Sequence, residues 1–141
     1  MKALSKTTNM SPKENLYYAI GELAYAIARS DGKVQPAERK KLHDILIKNL
    51  GRQGETGISE IIFTLMDKKE HFDSETTYNW AIQEIRTNSH YLSPQMKTSF
   101  LTILEQVAEA FPPVSVEEQG YINRFKKDIA PLEGDPIFYK D

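Results

Sequence analysis

Cysteine is absent from the 141 residues, and so is any long apolar run. A chain without thiols has no disulfides, no thiolate metal ligands and no cysteine nucleophile, which fits a reducing compartment, so we expect a cytoplasmic location. The polar start MKALSKTTNM has no signal-peptide core, and no run approaches the roughly 18 apolar residues of a membrane span. We therefore expect no spanning segment, while peripheral association with a membrane stays open.

A charge excess of one sign is missing as well. The 18 Lys and Arg residues are balanced by 20 Asp and Glu residues, which gives a net charge of -2. The basic pairs are scattered among acids, so we expect no nucleic-acid partner. The GRQG sequence at 51–54 matches the GxxG loop of single-stranded nucleic-acid modules, but those modules need strands beside it. The signatures of nucleotide-binding loops, nucleophile-elbow hydrolases and HExxH zincins do not occur.

The pattern that is present is helical. Apolar residues recur at steps of three and four in six segments, and most of the 7 glycines and 7 prolines fall between those segments or at their first turn. We predict an all-α fold, a compact bundle of about six helices in one domain over residues 11–130. Residues 1–10 are predicted to be a flexible N-terminus and residues 131–141 a C-terminal tail. The predicted helices begin near residues 12, 36, 58, 74, 94 and 116.

Capping residues and large apolar side chains add detail to this bundle. Polar residues precede the helical stripes and are predicted to cap them: Ser11, Asp73 or Ser74, Ser93 and Ser115. Large aromatic side chains on the stripes are predicted to fill the core: Tyr17, Trp80 and Phe100.

The chain also contains an internal echo. Shifting the sequence by about 80 residues superposes apolar positions of 12–50 on those of 94–130, and Val34 falls on Val114 and Glu38 on Glu118. Coincidence between amphipathic helices explains part of this match. We nevertheless predict two pseudo-symmetric helix-loop-helix units, with two helices inserted between them.

The junction between the first two helices carries the most distinctive residues. Asp31, Gly32, Val34 and Glu38 match positions 5, 6, 8 and 12 of an EF-hand calcium loop. Positions 1 and 3 are occupied by side chains without carboxylate oxygens, Ile27 and Arg29, so an ordinary EF-hand is excluded. We expect weak binding of a divalent cation, namely calcium, magnesium, manganese or zinc, with water completing the coordination.

A purely structural interpretation of these acids is open at this stage. Asp31 can bond the loop backbone, and Glu38 and Glu118 stand at the third position of their helices, where a glutamate completes a capping box. Asp67 and His71 are spaced like a metal-ligand pair on a helix, but a solvated face explains them better.

The run from Gly21 through Asp31 to Leu42, with its duplicated helix pair, resembles the TerB-like family of bacterial tellurite-resistance proteins. The resemblance covers roughly residues 12–130. It implies an all-helical fold with pseudo-two-fold symmetry, acidic residues after each long helix for which metal binding has been proposed, and a stress or metal response alongside membrane-linked partners. It places Asp31, Glu38 and Glu118 on the acidic positions, while Phe111 departs from the pattern.

We therefore expect a noncatalytic TerB-like module that acts through protein partners, with a cation held by Asp31, Glu38 and Glu118. The alternative is a metal-dependent enzyme that uses the same carboxylates. The two differ in that an enzyme needs an open coordination position beside an acid or base, whereas a module needs an exposed partner surface.

The predicted tail carries an apolar trio, Ile137, Phe138 and Tyr139. Three adjacent apolar side chains are unfavourable in a solvated tail, so we expect them to dock. Docking on the chain's own domain avoids the entropy cost of association and is favoured over docking on a neighbour.

Overall fold

The computed structural model describes residues 11–30, 36–50, 73–110 and 114–139. Within these ranges the secondary structure is helical and no strand occurs, which confirms the all-α prediction. A 3₁₀ turn at Ser89–Tyr91 follows the third of the described α-helices. The α-helices are α1 (Pro12–Ala28), α2 (Pro36–Leu50), α3 (Ser74–Thr87), α4 (Pro94–Ala110), α5 (Val116–Ile129) and α6 (Pro136–Tyr139).

Several predictions fall outside these ranges and stay predictions. They concern the N-terminus 1–10, the loop residues Asp31 and Val34, the GRQG loop, the helix near residue 58, the pair Asp67 and His71, and Phe111.

The helices begin at the predicted capping residues. Ser11 accepts the Glu14 amide at 3.1 Å and its own amide donates to Glu14 Oε1 at 2.9 Å, which completes a capping box. Asp73, rather than Ser74, caps α3 by accepting the Thr76 amide. The Ser93 hydroxyl accepts the Met96 amide at 3.1 Å at the start of α4. Short polar side chains therefore satisfy backbone donors that have no partner within the helix.

Helix α1 is the central element, because it packs against each of α2, α3, α4 and α5. The sequence predicts one apolar stripe on α1, and the structure corrects this. From Leu16 to Ala28 every residue except Tyr18 is buried. Small side chains such as Ala19 and Ala24 allow the surrounding helices to approach from several sides, as expected of a helix that is apolar all round.

The other long helices bury one stripe each. On α5 the stripe consists of Ile122, Phe125 and Ile129, as the sequence predicts. Tyr17 and Phe100 are buried core residues, which is also as predicted. Trp80 is a correction: it is half-buried and meets Tyr18 edge-on, with ring centroids 6.0 Å apart.

The two predicted helix pairs agree in length. Helices α1 and α4 both have 17 residues, both begin at a Ser-Pro sequence and both lead to a second helix, α2 or α5. Their side-chain environments differ, because Glu38 is half-buried while Glu118 is buried. The pseudo-symmetry of the two units stays a prediction.

The C-terminal segment docks on the turn after α3. The amides of Gly134 and Asp135 donate to the carbonyls of Leu92 and His90 at 3.1 and 3.0 Å. The Phe138 ring packs edge-on against His90, with ring centroids 5.0 Å apart, and is 46% exposed, so the predicted docking on the chain's own domain is confirmed in part. Ile137 corrects the prediction, because it is 78% exposed. One helical turn points successive side chains about 100° apart, so the trio does not dock as a unit.

Substituting Gly134→Ala is expected to release this segment. A Cβ at that position would lie 2.5 Å from the Leu92 carbonyl oxygen and 2.9 Å from its carbon, and these backbone atoms cannot move aside as a flexible side chain does. The loss of both backbone hydrogen bonds lowers the free energy of unfolding by about 1–3 kcal/mol, measured by urea denaturation.

Gly120→Ala is the matched control for this prediction. An added Cβ at Gly120 meets nothing within 4 Å on the exposed side of α5. The alanine therefore stabilises the helix by about 0.5–1 kcal/mol. Equal stability of Gly134→Ala and the wild type would show that the segment's contacts contribute nothing.

Candidate functional site

Glu118 is a predicted metal ligand that the structure places inside a capping box. Its amide donates to the Ser115 hydroxyl at 3.0 Å, and its Oε1 accepts the Ser115 amide at 3.0 Å. The residue is only 1% exposed. The capping interpretation is therefore confirmed for Glu118, because one of its carboxylate oxygens accepts a hydrogen bond from a backbone amide.

The other two predicted ligands are less completely placed. Glu38 lies in the first turn of α2 and is half-buried, while Asp31 lies outside the described residues. In the part of the chain that the structure describes, no three His, Asp or Glu side chains form a group that could hold a metal ion. The three-residue set therefore stays a prediction.

The start of α5 has an inverted polarity. Glu118 is buried because it continues the core stripe of Ile122 and Phe125 at helical spacing. Val116 precedes Glu118 by two residues, about 200° around the helix, and is 86% exposed. Val114, just before the Ser115 cap, is 44% exposed. Two valines thus face solvent where a surface helix ordinarily presents polar residues.

A groove between α4 and α5 is lined in part by Val114. It encloses about 380 Å³. Lys126 of α5 pairs at 3.5 Å with Glu105 of α4, which lines the groove. The residues that line the groove are Glu105, Ala108 and Glu109 of α4 together with Val114, Gln119 and Ile122.

A second polar arrangement joins α3 to α5 through Arg124. Its guanidinium donates to Glu75 Oε1 at 2.8 Å through Nη1 and to Asn79 Oδ1 at 2.9 Å through Nη2. The guanidinium carbon lies 4.1 Å from the centre of the Tyr78 ring. Tyr121 donates its hydroxyl to the same Glu75 oxygen at 3.3 Å. We call these five residues the α3–α5 clamp.

The hydroxyl of Tyr78 extends the clamp toward the end of α5. It donates to Asp128 Oδ2 at 2.6 Å, and Arg86 lies 3.7 Å from the other oxygen of Asp128. Burial, followed by the hydrogen bond to Asp128, raises the pKa of Tyr78 far above its ordinary range. Its phenol therefore stays a neutral donor, and the arrangement holds two helices together.

Glu75 gives the clamp a pH dependence. The hydrogen bond from Arg124 lowers the pKa of the Glu75 carboxyl below its ordinary 4.5. A carboxyl with a lowered pKa in the folded state stabilises the protein above the unfolded-state pKa, and this contribution disappears as the pH falls through the folded-state pKa. The clamp thus weakens in acid.

We expect Glu75→Gln to reduce the loss of stability below about pH 4.5. The measurement is the free energy of unfolding from pH 7 to acid, compared between variant and wild type. Arg124→Ala, which removes the cause of the pKa shift, is expected to reduce the acid slope in the same direction. If the free energy of unfolding changes with pH in the same way in all three proteins, the pH dependence does not come from Glu75 and Arg124.

Glu22 is a buried carboxylate that the sequence reasoning passed over. It lies in the middle of α1 and is 0% exposed. Together with burial, which is the larger cause, its charge raises the pKa of the neighbouring Tyr18 to about 12. A signal was present in the sequence, since Glu22 is the one charged residue between Leu16 and Ala28. The α3–α5 clamp could not be recognised in the sequence in this way, because its residues are divided between two helices that are far apart along the chain.

Comparison of the chain with family models, with curated proteins and with solved structures gives no match. Across the described ranges, no helix combines the length and the apolar character that a membrane crossing requires.

Proposed function

We propose that this chain is a noncatalytic TerB-like module that serves a bacterial stress or metal response, such as tellurite resistance, by binding a protein partner in the cytoplasm. The observation that carries the proposal is the exposed valine pair, Val114 and Val116, of which Val114 lines the groove between α4 and α5. Burying a valine side chain against a partner contributes about 1.5–3 kcal/mol to the free energy of binding. A valine that stays exposed to solvent does not make this contribution.

The inverted polarity at the start of α5 favours the interpretation of the valines as a contact surface rather than as part of a frayed helix end. The capping box fixes Ser115 and Glu118 and thereby the direction of Val116, so the apolar side chain is held in place before any partner arrives. A contact residue that is already ordered costs less entropy when it binds.

Photo-crosslinking from position 116 tests this proposal. A photoreactive amino acid replaces Val116 in the cell that makes the protein, and a matched protein carries it at Gln83, an exposed residue of α3. We expect a discrete adduct of defined mass from position 116 and none from position 83. No adduct, or the same adducts from both positions, would contradict a partner surface at the valines.

The proposal includes a weakly bound divalent cation at Asp31, Glu38 and Glu118. Calorimetry with calcium, magnesium, manganese and zinc tests it, and binding is expected to be weaker than the roughly 10⁻⁷ to 10⁻⁵ M of sensor EF-hands. Glu38→Gln should weaken it further. If no cation binds below about millimolar concentration, which is the range of the weakest natural calcium modules, this part of the proposal is wrong.

A further inference from the structure

We propose that the partner inserts a basic amphipathic segment into the groove between α4 and α5, with apolar side chains against the valines and a lysine or arginine against Glu109. This inference rests on the proposed function and specifies the chemistry of the partner.

The floor of the groove is apolar, and its rim is mixed. Ala108 and Ile122 are buried at its base, the exposed Val114 marks its open end, and Val116 lies two residues beyond Val114 along the chain. A volume of about 380 Å³ admits one or two large side chains, whereas a whole helix would have to lie along the rim. The apolar part of the partner is therefore a short row of side chains spaced as on one helix face.

The charge around this apolar floor is acidic at the open end. Glu105 and Glu109 lie one turn apart on α4 and both line the groove. Lys126 is paired with Glu105 at 3.5 Å, so Glu109, the acid nearer Val114 along the chain, is the lining carboxylate left for a partner's cation. Lys41 of α2 donates to the adjacent Ala110 carbonyl at 3.5 Å. A cation beside the partner's apolar row complements this arrangement.

The same arrangement disfavours other occupants. A second copy docked about a two-fold axis at the open end would bring Glu109 close to its own counterpart, and like charges repel. A neutral apolar segment would cover Glu109 and remove its water without supplying a partner, which costs free energy.

Three labelled helical peptides of about 14 residues, roughly four turns, test the proposal by fluorescence anisotropy. One alternates leucine and lysine at amphipathic spacing, the second replaces lysine by glutamate, and the third replaces it by glutamine. We expect saturable binding of the leucine–lysine peptide, weakened by salt, and much weaker binding of the other two.

Variants locate that binding. Val116→Asp is expected to weaken it about tenfold or more, because it removes a buried valine contact. Glu109→Lys is expected to weaken it about five- to tenfold, because it turns an attractive pair into a repulsive one. Glu133→Lys makes the same change of net charge in the exposed C-terminal segment and should leave the affinity unchanged. Circular dichroism checks that each variant is folded.

The outcomes separate this inference from the proposed function. If the glutamine peptide binds as tightly, with sensitivity to Val116→Asp but not to Glu109→Lys, the partner is apolar and not basic. Equal effects of Glu109→Lys and Glu133→Lys would show attraction by net charge alone and overturn the inference. Absence of peptide binding also overturns it, while the crosslink from position 116 decides the proposed function independently.

Discussion

Tyr78→Ala is expected to lower the free energy of unfolding by about 3–5 kcal/mol, the range for removing a large buried aromatic ring. The ring is fully buried, packs against Tyr121 at 5.6 Å and lies beneath the guanidinium of Arg124. Its removal leaves a cavity between α3 and α5 and takes away the surface on which the clamp rests. Urea denaturation at neutral pH measures the loss.

Tyr78→Phe is the matched control, because it keeps the ring and removes only the hydroxyl. The hydrogen bond to the Asp128 carboxylate is lost, at a cost of about 1.5–3 kcal/mol. The difference between the alanine and phenylalanine variants reports the packing of the ring. If both variants lose the same stability, the ring contributes nothing beyond its hydroxyl and the clamp is misassigned.

Leu23→Ala is expected to cost about 2–5 kcal/mol. Leu23 lies in the middle of α1, is fully buried and belongs to the helix that contacts every other long helix described. The helices around it are held in several directions and cannot all collapse onto one vacated volume, so the cost should fall in the upper part of that range.

The same substitution at a half-buried site provides the comparison. Leu101 of α4 packs against the edge of the core, and Leu101→Ala is expected to cost clearly less, about 1–2 kcal/mol, because water can fill the space. Thermal and urea unfolding of both variants decide the matter. An equal cost at the two positions would contradict the central role of α1.

The positions of the helices could be predicted from the sequence because their signals are local. Ser11, Ser93 and Ser115 each precede a helical stripe, and their hydroxyls bond amides three residues later. The core stripe of α5 could be predicted for the same reason, since its spacing is visible within one segment. Such features require no knowledge of which helices are neighbours.

Features that depend on the neighbours were beyond prediction. The partners Glu75 and Arg124 are separated by 49 positions and meet because α3 and α5 both pack against α1. The burial of α1 on all sides likewise follows from the arrangement of four other helices. Trp80 was expected in the core by size, but its place on α3 leaves it at the edge.

The candidate site was predicted in part. The capping role of Glu118 was visible from its spacing to Ser115, whereas the exposure of Val116 was not, because a helix has no fixed outside until its core stripe is known. Val114 appeared in the sequence only as a member of the internal echo, and Val116 was not singled out. Their proposed contact with a partner follows from their exposure in the structure.

The central place of α1 has a consequence for biosynthesis. This helix leaves the ribosome before the helices that cover it, and α5, the last long one, ends about a hundred residues later. At bacterial and eukaryotic elongation rates of roughly 5–20 residues per second, the delay is on the order of ten seconds. During that interval a strongly apolar nascent segment lacks part of its native neighbours, so we expect it to be a substrate for chaperones that bind emerging chains. Folding of the bundle can be completed only when its C-terminal half has been translated.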